Sequence, residues 1–295
     1  MKKFKFNKIS IIVLVVVFTL SIFGIVKATL APGTVDLGTS DNFAILAGSA
    51  ITDANPIGTI DGDVGLGPDG GPNGGADITG LLCAQLSLTS TLYDNDAGYA
   101  GGGLCRVTDA PLLTAAKADL ETAYNFAAAQ GATTIGTDLA AAILSPGVYD
   151  SADTTFDITG GGTLTLDGEN NPDAVFIFKM GTTLNTSGAS NVTLINGAQA
   201  CNVFWQVGTS ATFGSATDFV GTVMAAASIS DASDSTIIGR LLADADDDGT
   251  GAVTLSNTDV TVPTCAPSLT LNKTVVGGTA VRQLILTGLS LQMAL

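Results

Sequence analysis

From Phe43 onward, short apolar runs alternate with small-residue runs and turn residues at a nearly constant interval. Phe43-Ala-Ile-Leu-Ala47 predicts an apolar strand, Ser49-Ala-Ile-Thr52 a small alternating one, and Gly58-Thr-Ile-Asp-Gly-Asp-Val64 a third. Together they make one three-sided coil. The same order recurs in Val175-Phe-Ile-Phe-Lys-Met180, Thr182-Thr-Leu-Asn185 and Asn191-Val-Thr-Leu194. It recurs again in Val203-Phe-Trp-Gln-Val207, Thr209-Ser-Ala-Thr212 and Asp218-Phe-Val-Gly-Thr222. Strands and tight turns repeating every few tens of residues are the signature of a solenoid. The expected class is therefore all-β, and the coils resume after Pro146 and run to about Val262.

Two segments break the pattern. Gly67 to Gly103 is rich in Gly, Asn, Pro and Asp. The insertion over 67–108 reads as a cap on an open solenoid end, which would otherwise expose an unpaired edge. Then comes one long helix over 109–130. Asp109 is placed to cap it, Pro111 sits in the first turn and Gly131 is placed to end it. Leu113, Ala116, Leu120, Ala123, Tyr124 and Ala127 form a narrow apolar stripe, so the helix is expected to brace the side of the solenoid. After Pro263 and Pro267, residues 266–295 read as an incomplete C-terminal β segment or tail, too short to build its own core.

Aligning the middle strands of six coils puts Ile51, Phe156, Leu184, Ala211, Ile229 and Val253 at one apolar, core-facing position. Period-two geometry then sends the flanking residues outward. These are Ala50 and Thr52, Thr155 and Asp157, Thr183 and Asn185, Ser210 and Thr212, Ser228 and Ser230, and Ala252 and Thr254. No Lys, Arg or Glu appears among them, and Asp157 is the one carboxylate. A solvated strand face in an acidic protein ordinarily carries more charge. Strands stacked about 4.8 Å apart would hold these short hydroxyls and methyls in a flat ladder. Position by position, Thr and Ser are also simply good strand formers on a wet face.

Composition narrows the function. Five of the 11 basic residues (Lys2, Lys3, Lys5, Lys8 and Lys27) lie before Ala28, where there is no acidic residue. The rest of the chain carries six basic residues against 27 acidic ones, a net charge of −21. That surface repels phosphates, so nucleic acid is not an expected partner. The chain has no histidine, which removes the commonest general base and the usual partner of a Ser or Cys nucleophile. No Asp/Glu pair sits in an aromatic context, so an enzyme is not expected, and neither is a cofactor. A polysaccharide-active β-helix enzyme would need a cleft of clustered carboxylates and basic residues, which the sequence does not offer.

The basic head, the apolar run Ile9–Val26 and the small-residue exit at Val26-Lys27-Ala28 read as a secretory signal peptide over 1–28. The run is also long enough to stay uncleaved as an anchor. Either route places the chain outside the cell or at its surface, as a monomer. In that setting four cysteines imply two disulfides. Of the three pairings, Cys83–Cys105 with Cys201–Cys265 is the most local. Asp244, Asp246 and Asp248 have the alternate spacing of a calcium loop, but position twelve is Leu255 and no helices flank it, so a solvated acidic turn is the plainer expectation.

Leu37-Gly-Thr-Ser-Asp-Asn-Phe-Ala-Ile-Leu-Ala47 resembles the opening of the DUF3494-type ice-binding proteins. Asn171-Pro-Asp-Ala-Val-Phe-Ile-Phe178, Ile195-Asn-Gly-Ala-Gln-Ala-Cys-Asn-Val-Phe-Trp-Gln-Val-Gly208 and Gly251-Ala-Val-Thr-Leu255 are similar to its most recognisable segments. The resemblance spans about Leu37 to Cys265, which sets the expected domain at 29–265. It implies a discontinuous right-handed β-solenoid of triangular cross-section with a lateral α-helix, the first coil packed beside the last. It also implies that the middle-strand face binds ice, through a loose Thr-Ala/Gly-X-Thr/Asn pattern. Thr182-Thr-Leu-Asn185 and Gly251-Ala-Val-Thr254 come nearest to that pattern; Ala227-Ser-Ile-Ser230 and the rung ending in Asp157 depart from it. The competing expectation is a cell-surface structural or adhesive module of the same fold without ice activity.

Overall fold

A computed structural model describes residues 32–67, 78–94 and 105–265 with their side chains, and the backbone of strands Leu269–Val276 and Thr279–Leu286. The leader, residues 68–77 and 95–104 of the insertion, and 266–268, 277–278 and 287–295 of the tail lie outside the described residues.

The repeating strands stack in parallel into three faces. One face is built in the order Arg106–Thr108, Leu92–Asp94, Asp63–Leu66, Phe43–Ala47, Thr236–Ala243, Asp218–Ala225, Val203–Val207, Phe176–Met180, Gly147–Ser151 and Thr133–Ile135. A second face stacks Ile143–Leu144, Thr163–Asp167, Asn191–Ile195, the first halves of Asp218–Ala225 and Thr236–Ala243, then Asp259–Thr261 and Ile60–Asp61. Those two long strands belong to both faces because each bends at a glycine. Gly221 has φ 114°, and a Cβ at Gly239 would fall on the Gly221 carbonyl. The third face carries the candidate site.

The coil order is discontinuous. Phe43–Ala47 lies between Asp63–Leu66 and Thr236–Ala243, with Ile45 opposite Leu241. The first coil therefore sits against the last, as the resemblance implies. An aromatic ladder runs up the interior. Tyr149, Phe178 and Trp205 occupy one register position on neighbouring strands, and the Phe178 and Trp205 rings stack at 4.1 Å and 12°. The Trp205 indole N–H donates to the Val220 carbonyl at 3.0 Å, which satisfies the one polar group of a fully buried side chain.

The helix Ala110–Ala129 lies on the first face, burying Leu113, Ala116, Leu120, Ala123 and Ala127 against Phe43, Leu46, Ile177, Phe204, Met224 and Leu242. Asp109 caps it by accepting the Leu112 N–H at 3.0 Å. Its end differs from the expectation. Gln130 turns the chain out in an extended conformation (φ −66°, ψ 140°), and Gly131 takes no left-handed cap. Tyr124 is only half-buried, whereas Lys117 is fully buried.

Three further expectations are refined. The segment expected as one strand over Gly58–Val64 is split at Gly62 (φ 134°) into Ile60–Asp61 and Asp63–Leu66, which lie on different faces. The coils restart at Thr133–Ile135 rather than after Pro146. The insertion is not purely irregular. Ile78–Thr79, Leu92–Asp94 and Arg106–Thr108 pair onto the solenoid, because the end coil's backbone groups need partners. Disulfides join Cys83 to Cys105 and Cys201 to Cys265, with Cα separations of 5.6 and 5.9 Å. Beyond Cys265, Leu269–Val276 pairs antiparallel with Thr279–Leu286 as a hairpin.

Candidate functional site: the hydroxyl face

Seven parallel strands form the third face, in the order Phe156–Ile158, Leu184–Thr186, Ala211–Phe213, Ile229–Asp231, Ala252–Leu255, Ala50–Asp53 and Ile78–Thr79. The register brings Phe156, Leu184, Ala211, Ile229, Val253, Ile51 and Ile78 into one row. The first six are at most 1% exposed, so this row is the core-facing one. Both flanking rows face outward, and every residue in them is exposed or half-buried.

One outward row reads Thr155, Thr183, Ser210, Ser228, Ala252, Ala50. The other reads Asp157, Asn185, Thr212, Ser230, Thr254, Thr52, Thr79. All twelve residues expected from the sequence are thus brought together, in the expected register. Rungs repeat at about 4.8 Å and the two rows lie about 6.7 Å apart, so the longer row spans roughly 29 Å.

Thr79 adds a seventh rung beyond the six that the sequence pattern predicts. Its segment Ala76-Asp-Ile-Thr79 repeats the Ser49-Ala-Ile-Thr52 pattern, and that was the available signal. It was hidden because the surrounding Gly, Asn and Pro read as loop. The cap is tied to the neighbouring rung Ala50–Asp53, where Gln85 donates from its side-chain amide to the buried Asp53 carboxylate at 2.6 Å.

The side chains brace one another without closing off the surface. Asn185 donates to Asp157 at 2.9 Å and to the Thr183 hydroxyl at 3.2 Å, and Ser230 donates to Thr212 at 3.5 Å. Asp157 lies on the terminal strand of this sheet and pairs onward only through an isolated bridge to Asp138, so its carboxylate interrupts the array at one end rather than in the middle.

Behind the face, Asp231 points inward and is 5% exposed. It accepts from Ser235 and Thr258, each at 2.6 Å. Burial pushes its carboxyl above the ordinary carboxylate range, against the downward pull of those two hydroxyls. The folded state then holds this proton more tightly than the unfolded chain does. The site's contribution to stability is complete below the ordinary carboxylate value and declines as pH rises through the raised one. Asp231→Asn should flatten that part of the curve, measured by urea unfolding across mildly acidic pH.

The acidic turn is not simply solvated. Asp246 and Asp248 are exposed, but Asp244 is fully buried. One Asp244 oxygen accepts the Gly249 and Thr250 N–H groups at 2.9 and 3.2 Å, and the other lies 2.6 Å from the Lys117 ammonium.

A family model described as Ice-binding-like matches residues 45–261. An ice-binding protein of Flavobacterium frigoris is 36% identical over 242 residues, covering 78% of this chain and 76% of that one. Among solved structures, the DUF3494 domain of Shewanella frigidimarina ice-binding protein 1 superposes with a TM-score of 0.66 at 30% identity, covering 80% of this chain and 100% of that one. The ice-binding protein of the ascomycete Antarctomyces psychrotrophicus gives 0.62 at 33% identity, covering 78% and 98%.

The chain belongs to the ice-binding-like family. The segments that carry the family likeness have structural work to do in it. Gln199 and Asn202 donate to the Pro172 carbonyl at 2.7 and 3.1 Å, pinning two successive corners beside the Trp205 strand. Gly251 supplies the carbonyl that accepts the Gly48 and Ser49 N–H groups, both at 2.9 Å, where first and last coils meet.

Proposed function

We propose that this protein binds ice, as the names of its relatives say of them, and that it does so through the hydroxyl face. The observation that carries the reading is the register itself: two continuous rows of short, almost uncharged side chains on a backbone ladder. Hydroxyls and methyls held at near-lattice spacing order a layer of water that merges with the crystal. Each contact is weak, and adsorption depends on many acting at once from a surface already rigid in the free protein. A pinned protein forces the growing front to curve between anchor points, which slows growth and recrystallisation.

The action is non-catalytic and needs no cofactor. The lack of histidine anywhere in the chain supports this. The basic, apolar leader supports export, and a net negative surface supports a monomer by self-repulsion.

The test is direct. Fluorescently labelled protein should coat a growing ice crystal and give thermal hysteresis, whereas an adhesive module of the same fold would leave the crystal dark. Asp157→Thr extends the hydroxyl row to the edge strand and should raise hysteresis modestly. Stability should fall by about 1 kcal/mol at most, the net worth of the half-buried Asn185–Asp157 hydrogen bond.

A further inference from the structure

Lys117 is the one buried lysine among the described residues, 1% exposed in the middle of the helix. Its ammonium lies 2.6 Å from an Asp244 carboxylate oxygen, 3.3 Å from the Ala243 carbonyl and 3.9 Å from Asp247, and it also donates to the Asp244 carbonyl. Four oxygens from one turn therefore surround a single positive charge. Carboxylate and carbonyl oxygens wrapped around a point charge are what a hard metal ion would take. Here the cation is covalently part of the helix.

This turn stands where the chain closes on itself. The Asp244 N–H donates to Ala227, and its carboxylate holds Gly249 and Thr250. The next residue, Gly251, accepts from Gly48 and Ser49, and the Ser49 hydroxyl donates to the Thr250 carbonyl at 2.7 Å. A Cβ at Gly48 would fall on the Asp244 carboxylate. From this corner emerge Ala50–Asp53 and Ala252–Leu255, adjacent strands of the hydroxyl face.

We propose that Lys117 is the resident cation of the Asp244–Asp248 turn and, through it, a positioning residue for the rungs Ala50/Thr52 and Ala252/Thr254. The functional half of this inference rests on the ice-binding reading of that face. With Lys117 in place the turn is indifferent to calcium. Without it, the Asp244 carboxylate and the Ala243 and Asp244 carbonyls lose their cation, and Asp246 and Asp248 supply further carboxylate oxygens, the ligand atoms of the three aspartates lying within 4.8 Å of one another.

The experiment uses the full chain and Lys117→Met, each with excess calcium chloride and with chelator. Wild-type melting temperature should be unmoved by calcium. Lys117→Met should melt lower in chelator, and calcium should raise its midpoint by about 5 °C if the ion binds only the folded turn. At temperatures where circular dichroism shows it folded, its thermal hysteresis should fall several-fold in chelator and recover with calcium. A merely structural lysine would not produce that calcium-dependent recovery.

A wild-type midpoint that rises equally with calcium overturns the proposal, as does full hysteresis of Lys117→Met in chelator. So does a Lys117→Met protein that fails to fold in calcium as well as in chelator. Lys117→Met/Asp244→Asn carries neither charge and should fold without a calcium response; a retained response puts the ion elsewhere and overturns the assignment. If wild type itself shows no hysteresis, the ice-binding reading fails, while the melting arms still decide whether Lys117 is the resident cation.

Discussion

Thr212→Tyr is expected to abolish most of the thermal hysteresis while leaving the melting temperature nearly unchanged. Thr212 lies in the longer outward row between Asn185 and Ser230 and is exposed. A phenol there stands above its neighbours and holds the whole array off a crystal plane. Tyrosine is a good strand former, and surface exchanges of this kind stay within about 0.5 kcal/mol. Thr183→Tyr, on the other row, should behave alike. Parallel nanolitre osmometry and thermal denaturation separate the two quantities. If both variants keep full activity, the hydroxyl face is not the ice-contacting surface.

Trp205→Ala is the opposite case, a large loss of stability. The indole is fully buried, stacked on Phe178 at 4.1 Å and tilted against Phe219 at 5.0 Å. Removing it costs about 3–5 kcal/mol for the transfer and the cavity. It also strips the Val220 carbonyl of its indole donor. Against a typical total of about 5–15 kcal/mol, that is a drop of many degrees in melting temperature, followed by far-UV circular dichroism. A loss under about 1 kcal/mol would mean that the aromatic ladder closes over the gap.

The two variants bracket what the sequence makes readable. Alternation at period two, with one apolar position recurring in every coil, gave the register of the six expected rungs, even where the inward residue is as small as Ala211 or as large as Phe156. The helix was legible from its spacing and from Asp109. What stayed hidden depends on chemistry distributed across the chain. Ile78–Thr79 is two residues long inside a Gly- and Pro-rich stretch, so local pattern had too few positions to register it. Nothing local marks Lys117 for burial, because its partner Asp244 is far away in sequence. The bends at Gly221 and Gly239 let single strands serve two faces, where periodicity alone assigns one strand to one face. The placement of the first coil beside the last came only from the family likeness.

That closure has a consequence for biogenesis. Ile51 finds its neighbour Val253 about two hundred residues later, so the fifth and sixth of the seven rungs are also the last to be joined. A chain emerging from the ribosome or a translocon carries an open, pairing-competent β margin until the final coil arrives. Such margins recruit other chains. Truncation near residue 250 should therefore yield aggregates rather than a shorter working adsorbent, and the molecule cannot be lengthened simply by appending repeats to its C-terminus.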